Sequence, residues 1–312
     1  MSVIRHLIAP GGAVYAFDAS PAAELHRGKF SVAFRGTGPD RTEVFIKKVA
    51  RLNPFEVSVP VDHAVLMNRP QVVEESGETY LIYPLLQGIT LRQFLQDERK
   101  KIASRKVEIF SMLGRIIEGL GVLHKSGWYH GDLNPRNVFL IISEGRVVDT
   151  RLIDFGCALP FYTHPSYAST FPLIYGSPEQ VLKSFDCIDA RTDIYTFGLL
   201  IYELITGQKP YGHTNPELLM QMMLNAPLRS QAELPEDVWR ILQHMCAKPS
   251  LRLPPGRLSA EEVRHQLMSA IDRRPSDMSE VKESLEFIRR QIWLNDCSRK
   301  WYQNLWPFKL RV

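Results

Sequence analysis

The segment His130-Gly131-Asp132-Leu133-Asn134-Pro135-Arg136-Asn137, with Leu152-Ile153-Asp154-Phe155-Gly156 close behind it, decides how the whole chain is read. The first part sets a carboxylate and an amide five residues apart on a turn-rich loop that follows a helical pattern. Such a loop can aim two oxygen-bearing side chains into one cleft. The second part is a short apolar strand ending in an acid and a glycine, so Asp154 projects from a strand end. Asn137 and Asp154 are ligand types that suit Mg2+, which takes one or two oxygens from protein and the rest from water and phosphate. Asp132 stands apart from them as a proton acceptor that orients an attacking hydroxyl during in-line transfer.

Toward the N-terminus, residues 23–49 alternate like strands and break at Gly28 and at Gly36-Thr37-Gly38-Pro39-Asp40, which predicts three short antiparallel strands. Residues 54–67 are read as a helix interrupted early by Pro60, and residues 71–86 as two strands around Glu75-Ser76-Gly77-Glu78. Five strands and one helix therefore make a first lobe. From Leu91 onward apolar residues recur every three or four positions, through Phe94, Leu95, Ile109, Leu113, Ile116, Ile117, Leu120 and Leu123. Further helices are expected over 193–206, 216–224, 236–246 and 260–271. After a polar break at 272–277, Val281, Leu285, Ile288 and Ile292 fit one face of an amphipathic helix that docks on the second lobe. The fold class is α+β and bilobal: a small antiparallel sheet with one helix (1–86), a larger helical lobe (87–271) and a C-terminal extension (272–312). Residues 299–309 mix cations with aromatics. Packing on the lobe is favoured there over contact with a membrane surface or partner.

The 312 residues, 45% hydrophobic and 23% charged, have the makeup of an ordinary globular protein with room for a large core. No run of about 18 apolar residues spans a bilayer and the first residues lack a signal peptide's pattern, so a cytoplasmic location is the default. Cys157, Cys187, Cys246 and Cys297 lack metal-ligand spacing and read as reduced thiols. The net charge of +4 is spread along the chain, which argues against a nucleic-acid partner.

In order and spacing these motifs resemble the protein kinases. Residues 130–137 resemble that family's catalytic loop, and Asp154-Phe155-Gly156 is identical to its metal-binding triplet. Tyr175-Gly176-Ser177-Pro178-Glu179 resembles the Ala-Pro-Glu region closing the activation segment, and Asp193-Ile194-Tyr195-Thr196-Phe197-Gly198 the helix after it. Arg252 falls where the family's arginine pairs with that glutamate, here Glu179. The likeness covers roughly residues 23–270. It implies transfer of the ATP γ-phosphate to a protein hydroxyl, with Mg2+ as cofactor. Asp132 would be the base, Asn137 and Asp154 the metal ligands, and Asn134 and Arg136 their neighbours at the transferring group. Lys47, in Val44-Phe45-Ile46-Lys47, resembles the strand lysine that holds the α- and β-phosphates, while Lys48 faces the other side. Asp62, fifteen residues after Lys47, is favoured over Glu56, nine residues after it, as the acid that holds Lys47. Aligning Gly88-Ile89-Thr90-Leu91 makes Tyr83 the gatekeeper and sets the Pro84 carbonyl and the Leu86 N–H against adenine.

Several positions depart from the family pattern. The phosphate-covering loop keeps only its middle glycine, Gly28, and close backbone approach to phosphate is harder without the others. Phe45 replaces a small residue above adenine and Phe139 lies at its floor, while Ala33 in place of valine returns some volume. A binding module without transfer activity is therefore one alternative. The other is a small-molecule kinase of the aminoglycoside or choline type, whose catalytic loop also begins His-Gly-Asp. Gly131 stands where an arginine often pairs with an activation-segment phosphate, so activity is expected not to depend on phosphorylation there. Arg136 and Phe171-Pro172-Leu173 resemble tyrosine kinases, yet serine or threonine is favoured as the acceptor.

Overall fold

The computed structural model describes residues 2–28, 30–54, 56–97, 106–164, 173–229, 234–249, 251 and 257–296. The Phe171 and Pro172 motif, Arg252 and residues 299–309 lie outside them. Seven strands build the first lobe: β1 (Ile4–Ile8), β2 (Val14–Asp18), β3 (Glu24–Arg27), β4 (Ser31–Thr37), β5 (Glu43–Val49), β6 (Gln71–Glu75) and β7 (Glu78–Pro84). Their order is β1-β2-β4-β5-β7-β6, with β3 also on β4. The β1–β2 hairpin was not expected, although two alternating runs around Pro10-Gly11-Gly12 are a hairpin pattern. It curls over the sheet until Arg5 Nη1 donates to Glu78 Oε2 at 2.6 Å and to Tyr80 Oη at 2.9 Å on β7. Leu7 and Phe17 from the hairpin thereby close a core with Phe34, Ile46, Tyr80 and Ile82.

The helix expected over 54–67 is absent among the described residues, which form turns and extended chain between β5 and β6. Its α-helical pattern competes with Pro54 and Pro60, whose missing N–H groups break the hydrogen-bond ladder. In its place Val65–Met67 lies along the strand that precedes Asp154. Leu152 N donates to Val65 O at 2.7 Å and Met67 N to Leu152 O at 2.9 Å. That bridge ties the first lobe to the second.

The second lobe comprises β8 (Gly88–Thr90), α1 (Leu91–Asp97), α2 (Lys106–Lys125), β9 (Trp128–Tyr129), β10 (Val138–Ser143), β11 (Arg146–Leu152), β12 (Leu159–Pro160), α3 (Pro178–Val181), α4 (Ala190–Thr206), α5 (Pro216–Asn225), α6 (Glu236–Met245), α7 (Ala260–Ile271) and α8 (Met278–Asp296). Helix α4 is buried almost all round, as its unbroken apolar run dictates. It starts on Asp189, whose side chain accepts from Arg191 N, and stops at Gly207 in the left-handed region. Gly198 lets α6 approach, since a Cβ there would stand 2.6 Å from Cys246 Sγ.

Helix α8 buries Val281, Leu285, Ile288 and Ile292 in the main core, the face its sequence spacing specified. Replacing Ile288 with Ala is expected to cost about 2–5 kcal/mol, because a fully buried side chain leaves a cavity. The exposed Lys282→Ala change should stay within about 0.5 kcal/mol in the same urea titration. Among the described residues no helix is long and apolar enough to cross a membrane.

Candidate active site

Strands β10 and β11 turn at Glu144-Gly145, both with positive φ (50° and 73°), which suits a two-residue hairpin. Their register pairs Val138 with Leu152, and Ile153 N donates to Asn137 O at 3.0 Å. Asn137 and Asp154, seventeen residues apart in sequence, thus emerge from adjoining strand ends. Phe155 is buried against His130, with ring centroids 5.0 Å apart, and Asp154 adopts φ 61° beside it. This leaves the Asp154 carboxylate 43% accessible, facing the crease between the lobes.

The loop before β10 holds Asp132 by both oxygens. Asn134 Nδ2 donates to Oδ1 at 3.0 Å, and Asn137 Nδ2 to Oδ2 at 2.8 Å. Asn134 Oδ1 in turn accepts from Arg136 N at 2.9 Å, so the sequence Asn-x-Arg-Asn knots the loop on itself. Burial pushes the Asp132 carboxyl well above the usual carboxylate range, and the charge of Asp154 pushes the same way, against the two amides and Lys47. The Arg136 side chain is exposed and does not join this hydrogen-bonded set.

Beneath the loop, Asp193 on α4 is its anchor. Its carboxylate accepts from His130 N at 2.7 Å, from Gly131 N at 3.0 Å and from His124 Nε2 at 2.9 Å. Burial would raise its pKa, but His124 and the His130 backbone N–H outweigh burial and hold it low. His130 is fully buried, and burial keeps its ring neutral at ordinary pH. Its Nδ1 accepts from Asp132 N at 3.3 Å, which leaves Nε2 to donate to Ile153 O at 3.2 Å. Gly131 has φ 74°, and a Cβ there would stand 2.6 Å from Cys157 O. The backbone therefore excludes an arginine at this position. Gln180 Nε2 also donates to Gly131 O at 2.7 Å, tying α3 to the loop.

Across the crease, Lys47 on β5 reaches Asp154 Oδ1 at 2.7 Å and Glu56 Oε1 at 2.8 Å. Burial pulls the Lys47 pKa down, but Asp154 and Glu56 together outweigh it and fix the ammonium form. Lys48 pairs with Glu78 on the opposite face, as strand alternation requires. The preference for Asp62 is corrected: Asp62 is exposed, and Glu56, buried to 5%, holds Lys47. Spacing counted for a helix pointed fifteen residues on, whereas a turn with Glu56 N donating to Asn53 O at 3.0 Å brings the ninth residue back to the strand. Neither Asn53, whose Nδ2 donates to Gly156 O at 2.9 Å, nor the role of the Tyr83 hydroxyl was visible in the sequence.

Tyr83 is buried on β7 opposite Phe45, their ring centroids 6.3 Å apart. Ala33 is buried on β4, and Phe45 and Phe139 are half-buried. Pro84 is exposed and Leu86 half-buried at the connection between lobes, where Leu85 N donates to Glu43 O at 3.2 Å. Gly28 closes a tight turn between β3 and β4 through Gly28 N to Ser31 O at 2.8 Å. Cys157 is partly buried, and burial raises its thiol pKa well above the ordinary value, so it is a poor nucleophile.

The expected Arg252–Glu179 pair falls on a residue outside the described ones. Glu179 is held by Arg274, from the junction of α7 and α8, with Nη1–Oε1 at 2.7 Å and Nη2–Oε2 at 3.0 Å. Nearby, Glu203 on α4 receives Arg92 Nη1 at 2.9 Å and the Tyr175 hydroxyl, which fixes the segment leading into α3.

The family model described as a protein kinase domain matches residues 23–268. Serine/threonine-protein kinase 17A of Oryctolagus cuniculus is 26% identical over 287 residues, covering 86% of this chain and 70% of the relative. Serine/threonine-protein kinase PkaB of Streptomyces coelicolor is 26% identical, covering 70% of this chain and 53% of the relative. Ribosomal protein S6 kinase alpha-1 of Homo sapiens is 27% identical, covering 80% of this chain and 35% of the relative. The chain thus spans little more than half, or less, of the last two.

Proposed function

The chain belongs to the protein kinase domain family, and from that premise we propose that it transfers the γ-phosphoryl group of ATP to a protein hydroxyl, serine or threonine in preference to tyrosine. The observation that carries this reading is the convergence of two hydrogen-bonded sets on one crease: Lys47–Glu56–Asp154 from above and Asp132–Asn134–Asn137 from below. Asp132 orients the acceptor hydroxyl and takes its proton, its two oxygens aimed by the two amides. Its raised pKa makes it a stronger base than an ordinary carboxylate. Lys47 stays cationic and meets the phosphates. Asn137 spends its amide nitrogen on Asp132, and its remaining oxygen and the Asp154 carboxylate are hard donors that fit Mg2+, which when bound neutralises phosphate charge. Tyr83, Phe45, Ala33, Phe139, Pro84 and Leu86 line the adenine slot, and Gly28 turns the loop above the phosphates.

The test is transfer of labelled γ-phosphate to generic protein acceptors and to the chain itself. Incorporation on serine and threonine supports the proposal, and its absence refutes it. The phenylalanines and the single loop glycine favour one rival, a binding module without transfer. Thermal denaturation separates the two further, because MgATP at about 100 times its dissociation constant adds about 2.7 kcal/mol to stability. No shift at millimolar MgATP would favour the module.

A further inference from the structure

Glu56 holds Lys47 without a helix beneath it, so something else must keep a buried carboxylate pointed at the strand. Two side chains from different parts of the fold converge on it or on its turn. The Tyr83 hydroxyl donates to Glu56 Oε1 at 3.1 Å, the same oxygen that Lys47 Nζ reaches at 2.8 Å. Asn53, buried to 7%, donates from Nδ2 to Gly156 O at 2.9 Å, and its own carbonyl accepts from Glu56 N at 3.0 Å. The turn is thereby pinned to the residue that follows Asp154 and Phe155. We infer that Tyr83 and Asn53 are positioning residues that replace a helix: Tyr83 fixes the Glu56 carboxylate, and Asn53 fixes its turn, so that Lys47 is presented to the nucleotide phosphates. This rests on the kinase reading above.

The physical case is one of restraint. A glutamate side chain has three rotatable bonds and loses much freedom when ordered. A helix would share that cost over a cooperative ladder, whereas a four-residue turn provides little. The charge on Glu56 is also precarious. Burial pushes its pKa up and nearby Asp154 adds to that, while Lys47 and the Tyr83 hydroxyl oppose both. Cys157 faces the same cluster as a neutral thiol. Tyr83 itself remains a protonated donor, since burial and the charges of Glu56 and Asp154 raise its pKa. Losing the hydroxyl would free the carboxylate to turn and let it protonate at higher pH, and either change loosens Lys47. Tyr83 stands on β7 one strand from Lys47, a distance that the fold cannot change without breaking the sheet.

The experiment compares wild type, Tyr83→Phe and Asn53→Ala in MgATP titrations and in turnover between pH 5 and 8, with peptide and nucleotide varied separately. Tyr83→Phe keeps the ring and its contact with Phe45. Loss of a hydrogen bond to a charged group should raise the MgATP dissociation constant and KM about 10-fold. The peptide KM should stay unchanged. The acid limb of MgATP binding, which does not need the Asp132 base, should move to higher pH, which a merely loosened fold would not cause. Asn53→Ala should raise the nucleotide KM in the same direction without moving the acid limb. Nucleotide constants within two-fold of wild type and an unmoved acid limb in Tyr83→Phe would overturn the inference while leaving the kinase reading intact. A wild type that neither binds nor consumes MgATP would overturn both.

Discussion

Asp132→Asn should lower kcat for phosphoryl transfer by roughly 10²- to 10⁴-fold, the range for losing a positioned base, while MgATP still shifts the melting temperature. The amide keeps the shape and one acceptor oxygen for Asn134 and Asn137 but cannot take a proton. A pH–rate profile adds a second check. The base must be ionised, and burial raises its pKa, so activity should begin to fall at a higher pH than an ordinary carboxylate near 4 would dictate. The linked effect on stability has the opposite sense from that of a salt-bridged acid. A carboxyl whose folded pKa is raised favours the native state fully below its unfolded pKa, and that contribution is lost as pH rises through the folded pKa. Wherever Asp132 is ionised it is therefore a cost to folding, and Asp132→Asn should be more stable than wild type to urea. Undiminished transfer in the variant would refute the assigned role of Asp132.

Arg274→Met should be among the most destabilising single changes in the second lobe, at about 3–5 kcal/mol, the usual cost of stranding one partner of a buried ion pair. Both side chains are fully buried, and Arg274 also donates to Ala247 O at 3.0 Å and lies 4.7 Å from the Tyr195 ring centroid. Burial tends to raise the Glu179 pKa, and Arg274 outweighs it, leaving the pKa lowered. Wild type therefore draws stability from this group above its unfolded pKa and loses it as pH falls through the folded one. In Arg274→Met the sign reverses, so the gap between variant and wild type should narrow as pH falls. A Glu179→Leu, Arg274→Met double variant should recover much of the loss, because two apolar groups replace two charges. Urea titrations at pH 5 and 7 read all of this, and a cost below about 1 kcal/mol at pH 7 would show that Arg274 is not the essential partner of Glu179.

The helical lobe was legible because its periodicity is long. α8 repeats its apolar residues over enough turns that only one face can be buried, and that face is the one inside, while the apolar run of α4 is long enough to bury it almost all round. The first lobe was read less completely. Two prolines in residues 54–67 outweighed an apolar pattern too short to hold a helix, and the β1–β2 hairpin went unseen because its strands are only five residues each. The site divides the same way. Lys47, Asp132, Asn137 and Asp154 sit in local motifs whose spacing is itself the information. Glu56, Asn53 and Arg274 act over contacts that local spacing does not reveal.

By itself the sequence determined the local geometry of the candidate groups, because strand alternation and loop knots such as Asn134 on Asp132 are set by neighbours along the chain. Only the tertiary structure decided which acid holds Lys47 and which arginine holds Glu179. Those contacts depend on where a turn or a helix junction comes to rest, which neighbours along the chain do not fix.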